Sequence, residues 1–328
     1  MMNFARVRRA GSVAAIACAA AVVAAGSGSA QDYPNKPITW IAPSSPGGGF
    51  DVVSRIIAPK LSEVLGQSVV VQNIDGAGAT IGAAVAAEAA PDGYTILLAN
   101  SNHTTAESLY KKLNYNVIDS FDPVVRFTLL QQVFIVNPKV EAQTLADLIA
   151  LAKARPGELN MAHAGVASPT FMCAVLFEQA AGVDVNLIPY AGGGQALTSV
   201  VSGETDFECA VYSATRSFIE DGTVRGLAIT SKDRIALDPD LPAASETLPG
   251  FEFLGWYGLL VPKGTPLEIR EKIRSALMET LEDPATKQKL SDLGMEPFNE
   301  GPDEFAAYLK KEVADTRKLV EAAGVEPQ

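Results

Sequence analysis

Four short turns rich in glycine, serine or threonine carry the residues of this chain that could hold a small anion. Each turn follows an apolar run and opens a segment with helical spacing; they read SSPGGGFD (44–51), NSNHTT (100–105), AGVASPT (164–170) and YAGGG (190–194). Backbone N–H groups at a helix start are unpaired and lie at the positive end of the helix dipole, and glycine lets a ligand approach them. Each dipole contributes only about 0.3–1 kcal/mol, so useful affinity requires several converging turns.

Hydroxyl and aromatic side chains in the same turns add contacts for a carboxylate. Serine and threonine are natural donors to a carboxylate, whereas Asp51 is better suited to capping and organising its loop. The predicted ligand-binding residues are Ser44, Ser45, Gly48, Gly49, Phe50, Asp51, Ser101, His103, Thr104, Ala167, Ser168, Thr170, Tyr190, Gly192, Gly193 and Gly194. For any one turn, ordinary turn or capping chemistry is an alternative explanation, and a lone histidine such as His103 is more typical of a loop surface.

Sequence signatures of common enzyme classes are incomplete in this chain. The segment GAGATIG (76–82) has the wrong glycine spacing for a dinucleotide loop, and no acidic residue follows about twenty positions later. The segment GGGQALTS lacks the lysine of a phosphate-binding loop, and neither G-x-S-x-G nor H-E-x-x-H occurs. We therefore predict a protein that is not an enzyme, with no catalytic residues, no metal site and no cofactor.

The elements that must position the turns alternate between strand and helix patterns. Short apolar runs typical of strands buried on both faces of a parallel sheet lie at 37–42, 68–73 and 94–99. Helical patterns lie between them at 51–65 and 79–90, with Asp51 as a plausible N-cap and Pro59 expected to kink or shorten the first helix. The alternation predicts an α/β fold.

The same alternation continues in the second half of the chain. A helix is predicted from Thr144 to Arg155, with Thr144 as its cap, and strands are predicted at LNMAHA, NLIPY, FECAV and VRGLAIT. The run WYGLLVP leads to Thr265-Pro266-Leu267-Glu268, which has the pattern of a capping box before a helix. A final helix is predicted from Pro302 to about Ala323, so the chain is expected to return to its first half.

The first thirty residues differ in composition from the rest of the chain. Arg6, Arg8 and Arg9 precede a stretch of small apolar residues, and Gly28 and Ala30 lie at the small-residue positions of a cleavage site. This pattern predicts a secretory signal peptide over residues 1–30, too short for a membrane-spanning helix. Loss of its three arginines changes the formal net charge from −12 to −15, which argues against nucleic acid as a partner.

Two cysteines lie beyond the predicted signal peptide, Cys173 and Cys209. An oxidising compartment would allow them to pair, but nothing in their spacing requires it. We therefore expect two free, buried thiols. The length of the chain, 328 residues, is in the range where a single core tends to divide into two domains.

Several segments, in this order, resemble one receptor family. They are YPNKPITWIAPSSPGGGFDVVSR, LGQSVVVQNIDGAGATIGAAVAAEAAPDGYTILLAN, IPYAGGGQALTSVVSGETD, VRGLAITSKDR and GWYGLLVPKGTP. Over essentially all of the chain beyond the signal peptide, the sequence is similar to the tripartite tricarboxylate transporter receptor family, the Bug extracytoplasmic solute receptors. The PDGYT segment and the PGG-x-x-D turn are the most diagnostic parts of the resemblance.

The resemblance implies a two-domain periplasmic binding protein fold, type II-like, that closes on a ligand in the manner of a Venus flytrap. Domain 1 would comprise residues 31–130 and 254–328, and domain 2 residues 131–253. The implied ligand is a small organic carboxylate, such as a dicarboxylate, a tricarboxylate or an aromatic acid. The implied partners are membrane permease subunits of the transporter, and the protein would be a periplasmic monomer.

The resemblance also assigns the four turns to an interdomain cleft, and the sequence departs from the family pattern there. Ser44 stands where an aromatic residue is usual, Phe50 where a small residue is usual, and Phe171 where a histidine is usual. The two added phenylalanines favour a ligand with an apolar or aromatic body. Two alternatives remain open, a sensory subunit that signals to a membrane kinase and a secreted enzyme that uses His103 or Asp51 on a small acid.

Overall fold

The computed structural model describes residues 33–165, 168–322 and 324. The predicted signal peptide and the predicted site residue Ala167 lie outside the described residues. The described chain forms two mixed sheets of six and five strands with helices packed on them, which confirms the predicted α/β fold. Among the helices in these ranges, none combines the length and the apolar character that a bilayer span requires.

The strands are mostly short, and all but three edge strands, Val69–Asn73, Asn186–Pro189 and Met295–Glu300, are largely buried. In chain order they are β1 Ile38–Ala42, β2 Val69–Asn73, β3 Thr95–Ala99, β4 Phe121–Leu130, β5 Gln132–Val136, β6 Asn160–His163, β7 Asn186–Pro189, β8 Phe207–Val211, β9 Arg225–Ile229, β10 Gly255–Pro262 and β11 Met295–Glu300. The helices are α1 Gly49–Leu65, α2 Thr80–Ala87, α3 Ser101–Leu109, α4 Leu145–Ala154, α5 Pro169–Ala181, α6 Gly193–Ser202, α7 Tyr212–Glu220, α8 Leu267–Glu282, α9 Pro284–Asp292 and α10 Pro302–Ala322.

The first sheet has the strand order β11-β4-β10-β3-β1-β2, and the second has the order β7-β6-β8-β5-β9. In the first sheet β1 is parallel to β2 and β3, whereas β10 is antiparallel to β3 and β4. In the second sheet β6 is parallel to β7 and β8, whereas β5 is antiparallel to β8 and β9. Strand β10 therefore returns the chain to the first sheet, and α8, α9 and α10 follow it.

The chain passes between the two sheets through short connections. Strand β4 ends at Leu130 and β5 begins at Gln132, so Gln131 alone separates them. The return to β10 runs over residues 251–254, where the Phe253 N–H donates to the Thr230 carbonyl at 2.9 Å. We call the two sheets with their helices the first lobe and the second lobe.

Apolar residues cover both faces of each sheet, as the near-continuous hydrophobic strands predict. In the first lobe Trp40 packs on the face that carries α1 and α8, and Ile41 packs on the face that carries α2 and α10. In the second lobe Phe134 packs on the side of α5, and Val133 packs on the side of α6. Each lobe therefore has its own core.

Cys173 and Cys209 form a disulfide, so the expectation of two free thiols is wrong. Cys173 lies on α5 and Cys209 on β8, and the packing of this helix on this strand brings the two sulfur atoms together. Sequence spacing does not reveal this contact because the two residues are 36 positions apart on different elements. The bond fixes α5 to the sheet of the second lobe.

Three local predictions about helices also differ from the structure. Helix α1 has Gly48 as its N-cap, one turn before Asp51, and α8 has Pro266 as its N-cap without a side-chain cap bond. The Thr265 hydroxyl instead donates to the Pro262 carbonyl at 2.7 Å. Helix α1 also continues through Pro59 to a length of 17 residues, because its buried face compensates for one missing backbone hydrogen bond.

Candidate functional site

The four predicted turns lie at the carboxyl ends of parallel strands. The turns after β1 and β3 leave the same edge of the first sheet, and those after β6 and β7 leave the same edge of the second sheet. Each turn leads into a helix, namely α1, α3, α5 and α6. In open α/β sheets this edge is where ligands bind, so the topology places both pairs of turns in a position suited to binding.

Asp51 organises the first turn of the first lobe. One of its carboxylate oxygens accepts from the Gly47 N–H at 2.9 Å, and the other accepts from Arg55 Nε at 2.7 Å. These hydrogen bonds, with the backbone bond from Gly47 foremost, lower the pKa of Asp51 against the opposing effect of burial. Arg55 also reaches Asn73, whose side-chain amide donates to the Ser44 carbonyl at 3.0 Å. The turn is thus held rigidly by polar groups of its own lobe.

Two glycines of this turn, Gly48 and Gly49, are required by close packing. A Cβ atom at Gly48 would lie 2.8 Å from Ser44 Oγ, and one at Gly49 would lie 2.9 Å from the Tyr257 hydroxyl. Ser45 is exposed beside them, whereas the Ser44 hydroxyl is buried and has no hydrogen-bond partner. An unpaired buried hydroxyl is costly, so Ser44 Oγ is a donor in need of an acceptor.

Phe50 and His103 join the two turns of the first lobe. Their ring centroids are 5.9 Å apart, and Phe50 also meets Tyr257 edge-on at 5.6 Å. Both side chains are buried, so Phe50 contributes to the core and His103 does not lie on a loop surface. Burial lowers the pKa of His103 to about 4, and the ring is therefore neutral near pH 7.

The turn after β3 is capped by its own side chains. The Asn100 side chain accepts from the Asn102 N–H at 2.9 Å, and His103 Nδ1 accepts from the Asn100 N–H at 3.3 Å. Ser101 is nearly buried, and Thr104 is fully buried with its hydroxyl 2.8 Å from both the Ser101 carbonyl and Glu312. His103 Nε2 is buried and has no hydrogen-bond partner.

Ser168 and Thr170 both cap the turn that opens α5. Ser168 Oγ donates to the Gly165 carbonyl at 2.7 Å and accepts from the Phe171 N–H at 3.1 Å. Thr170 Oγ1 accepts from the Ala164 N–H at 2.8 Å. Capping is the alternative explanation that the sequence pattern allows for such a turn. In this role the Ser168 and Thr170 hydroxyls use hydrogen-bonding capacity that would otherwise be available to a ligand.

The YAGGG turn differs from the others because its glycines have no packing role. A Cβ atom at Gly192, Gly193 or Gly194 would meet nothing within 4 Å. The φ of Gly192 is 179°, an extended conformation open to any residue, and the other two glycines lie inside α6. Tyr190 packs against the core of the second lobe, its hydroxyl is buried without a partner, and its carbonyl lies beside Gly165.

The predicted residues therefore form two groups, one in each lobe. No lysine or arginine occurs among them, and Arg55, beside the first turn, is already paired with Asp51. Within the described ranges, no group of three or more His, Cys, Asp and Glu residues could hold a metal ion. The sequence patterns did not reveal the supporting roles of Asn73, Tyr257 and Glu312, because each depends on contacts between distant segments.

Comparisons with known proteins identify the family. A model of the tripartite tricarboxylate transporter family receptor matches residues 53–325. BugT of Bordetella pertussis is 34% identical over 299 residues, which cover 90% of this chain and 92% of that protein.

Two solved structures have the same fold. The periplasmic binding protein BugD is 33% identical with a TM-score of 0.76, and the match covers 90% of this chain and all of BugD (100%). The Rpa4515 protein of R. palustris, solved with adipate, is 29% identical with a TM-score of 0.79, and the match covers 90% of this chain and 100% of that protein. These matches agree with the two-lobed architecture. The chain therefore belongs to the tripartite tricarboxylate transporter receptor family, the Bug solute-binding receptors.

Proposed function

We propose that this receptor binds a small organic carboxylate between its two lobes and passes it to the membrane permease subunits of a tripartite tricarboxylate-type transporter. The proposed lobes are the domains expected from the sequence, residues 31–130 with 254–328 and residues 131–253. Support comes from the position of the four turns at strand ends and from the adipate bound by the related Rpa4515 protein. A dicarboxylate, a tricarboxylate or an aromatic acid has the required chemistry.

The open glycines at the start of α6 carry this proposal. Glycine inside a helix costs roughly 0.5–1 kcal/mol relative to alanine, and here neither packing nor a left-handed backbone requires it. Close approach of a ligand to the backbone N–H groups is a function that only glycine permits. In the first lobe the unpaired Ser44 hydroxyl supplies a second donor.

The proposed mechanism is closure of the two lobes around the ligand. A carboxylate held by the turns of one lobe gains hydrogen bonds from the other lobe only when the lobes meet, so it favours the closed state by that difference in affinity. No formal positive charge is required, because several helix starts share the negative charge of the ligand.

We also propose the location and the mode of action. Residues 1–30 would direct export and be removed, and the mature chain would act in the periplasm as a monomer. It would release its ligand unchanged, because the buried and neutral His103 and the hydrogen-bonded Asp51 are both engaged in holding loops. The permease would distinguish the closed from the open form.

The test is calorimetric titration of the protein with adipate, malate, citrate and benzoate, followed by substitution of the open glycines. Gly194→Ala should leave the protein folded, since alanine favours a helix, but should weaken binding about tenfold, or about 1.4 kcal/mol. Ser202→Ala, at the far end of the same helix, is the matched control. The proposal fails if none of the acids binds, or if Gly194→Ala binds as tightly as the wild type.

A further inference from the structure

The carboxylate of Glu312 connects the C-terminal helix to distant parts of the first lobe. It accepts hydrogen bonds from Thr104 Oγ1, Trp256 Nε1 and the Tyr308 hydroxyl, each at 2.8 Å. Burial raises the pKa of Glu312, and these three hydrogen bonds and the nearby Arg126 act in the opposite direction. Trp256 Nε1 and the Tyr308 hydroxyl both donate to Oε1 of Glu312, and the Thr104 hydroxyl is shared between Oε2 and the Ser101 carbonyl.

Thr104 is the contact through which Glu312 reaches the predicted binding site. It lies in the first turn of α3, within the predicted ligand turn, yet it is fully buried. Its hydroxyl meets Glu312, which is 208 positions away in the sequence. Thr104 therefore connects the start of α3 to the C-terminal helix, because its hydroxyl faces that helix.

The other two partners connect Glu312 to the strands that link the lobes. Trp256 is the second residue of β10, the strand that returns from the second lobe, and it is fully buried. The Tyr308 ring lies under the Arg126 guanidinium, with 3.5 Å from Cζ to the ring centroid. Arg126 belongs to β4, the strand that leads to the second lobe, and forms a two-bond pair with Glu300 at 2.7 and 2.9 Å.

A cavity of about 590 Å³ lies between this network and the second lobe. Glu312 and Tyr308 line one side, Met172 and Leu176 of α5 line the other, and residues 250–254 of the return connection close it. Helix α5 begins at the Ser168 turn of the second lobe. Across this cavity it therefore faces the helix that packs behind a predicted ligand turn of the first lobe. Any change in the angle between the lobes must change this space.

We propose that Glu312 is a positioning residue for ligand binding, which holds the start of α3 in fixed relation to both connecting strands. It does not touch the ligand. The proposal rests on the proposed function, because the start of α3 is one of the four turns assigned to the ligand. Without the carboxylate, Trp256 Nε1 would lose its acceptor and the first turn of α3 would move independently of β10.

Amide hydrogen exchange of the ligand-free protein tests this proposal without a known ligand. Glu312→Gln keeps the volume of the side chain but removes the negative charge that strengthens these hydrogen bonds, so exchange at residues 101–105 should rise at least about tenfold. Exchange in α5 should stay at the wild-type rate. Glu321→Gln, the same change at an exposed position of the same helix, is the matched control and should leave residues 101–105 protected.

A double-mutant cycle separates positioning from a general loss of stability. Thr104→Val removes only the hydroxyl, and its effect on exchange at residues 101–105 should not add to that of Glu312→Gln if both act through one hydrogen bond. Affinity for whichever of adipate, malate, citrate or benzoate binds the wild type should fall about tenfold in Glu312→Gln. Unchanged exchange, a rise spread equally over all segments, or additive effects would each overturn the proposal, whereas failure of all four acids to bind would contradict only the proposed function.

Discussion

Glu208 contributes to the pH dependence of this protein's stability, and its substitution should remove that contribution. The residue lies on β8 of the second lobe between Ile135 of β5 and Ala162 of β6, in an apolar cluster. It is 1% exposed, and Oε2 has no hydrogen-bond partner. Burial alone raises the pKa of Glu208 from 4.5 to about 8.

The sign of the effect follows from the raised pKa. Between pH 4.5 and pH 8 the folded protein keeps a proton on Glu208 that the unfolded chain has lost, so stability falls as the pH rises through this window. Each pH unit inside the window costs up to about 1.4 kcal/mol, and the loss near the two pKa values is smaller. From pH 5 to pH 8 the free energy of unfolding should therefore fall by about 3 kcal/mol through Glu208.

Urea unfolding followed by circular dichroism at several pH values from 5 to 8 measures this difference. Glu208→Gln has the same shape and no ionisation in this range, so its stability relative to the wild type should increase by about 3 kcal/mol from pH 5 to pH 8. Glu204→Gln, an exposed acid in the same lobe, should follow the wild type. Parallel pH curves for the wild type and Glu208→Gln would show that Glu208 is charged when folded, and the reasoning would be refuted.

Two further substitutions test other parts of the structure. Replacement of Cys173 and Cys209 by alanine should lower the free energy of unfolding by about 3–4 kcal/mol, because the disulfide closes a loop with a sequence separation of 36. In a urea titration, a reducing agent should lower the stability of the wild type but not that of the variant. Asp51→Ala leaves the Gly47 N–H and Arg55 without their acceptor. The free energy of unfolding should therefore fall by about 1–3 kcal/mol, and amide hydrogen exchange at residues 44–48 should rise. An unchanged exchange rate at these residues would contradict the role of Asp51.

The sequence predicts the elements whose local residue pattern matches their structure. The runs that became β1 and β3 are mostly apolar and buried, and the Thr144 cap of α4 is formed with Asp147 as the local pattern predicts. In contrast, β4 contains Pro123 and Arg126, and its pattern does not reveal a buried strand. Arg126 is acceptable there because Glu300, 174 positions later, neutralises it.

The candidate site is predictable only in part for a similar reason. Glycine and serine at strand ends indicate a turn that a ligand can approach, but they do not distinguish an open glycine from a packed one. Gly194 faces open space and Gly49 faces the Tyr257 hydroxyl, although both stand in triplets of glycine. The sequence cannot separate these cases because Tyr257 lies more than two hundred positions beyond Gly49.

The one-residue connection at Gln131 allows the two lobes almost no separation. One residue spans about 3.8 Å between neighbouring Cα atoms, so the lobes cannot drift apart as domains on a flexible linker do. If a solute binds as proposed, once held by one lobe it would meet the turns of the other as an intramolecular partner, at an effective concentration of about millimolar or higher. In the proposed mechanism, capture would be one bimolecular encounter followed by closure of the lobes, and the rate constant of the closure step should not depend on the concentration of receptor.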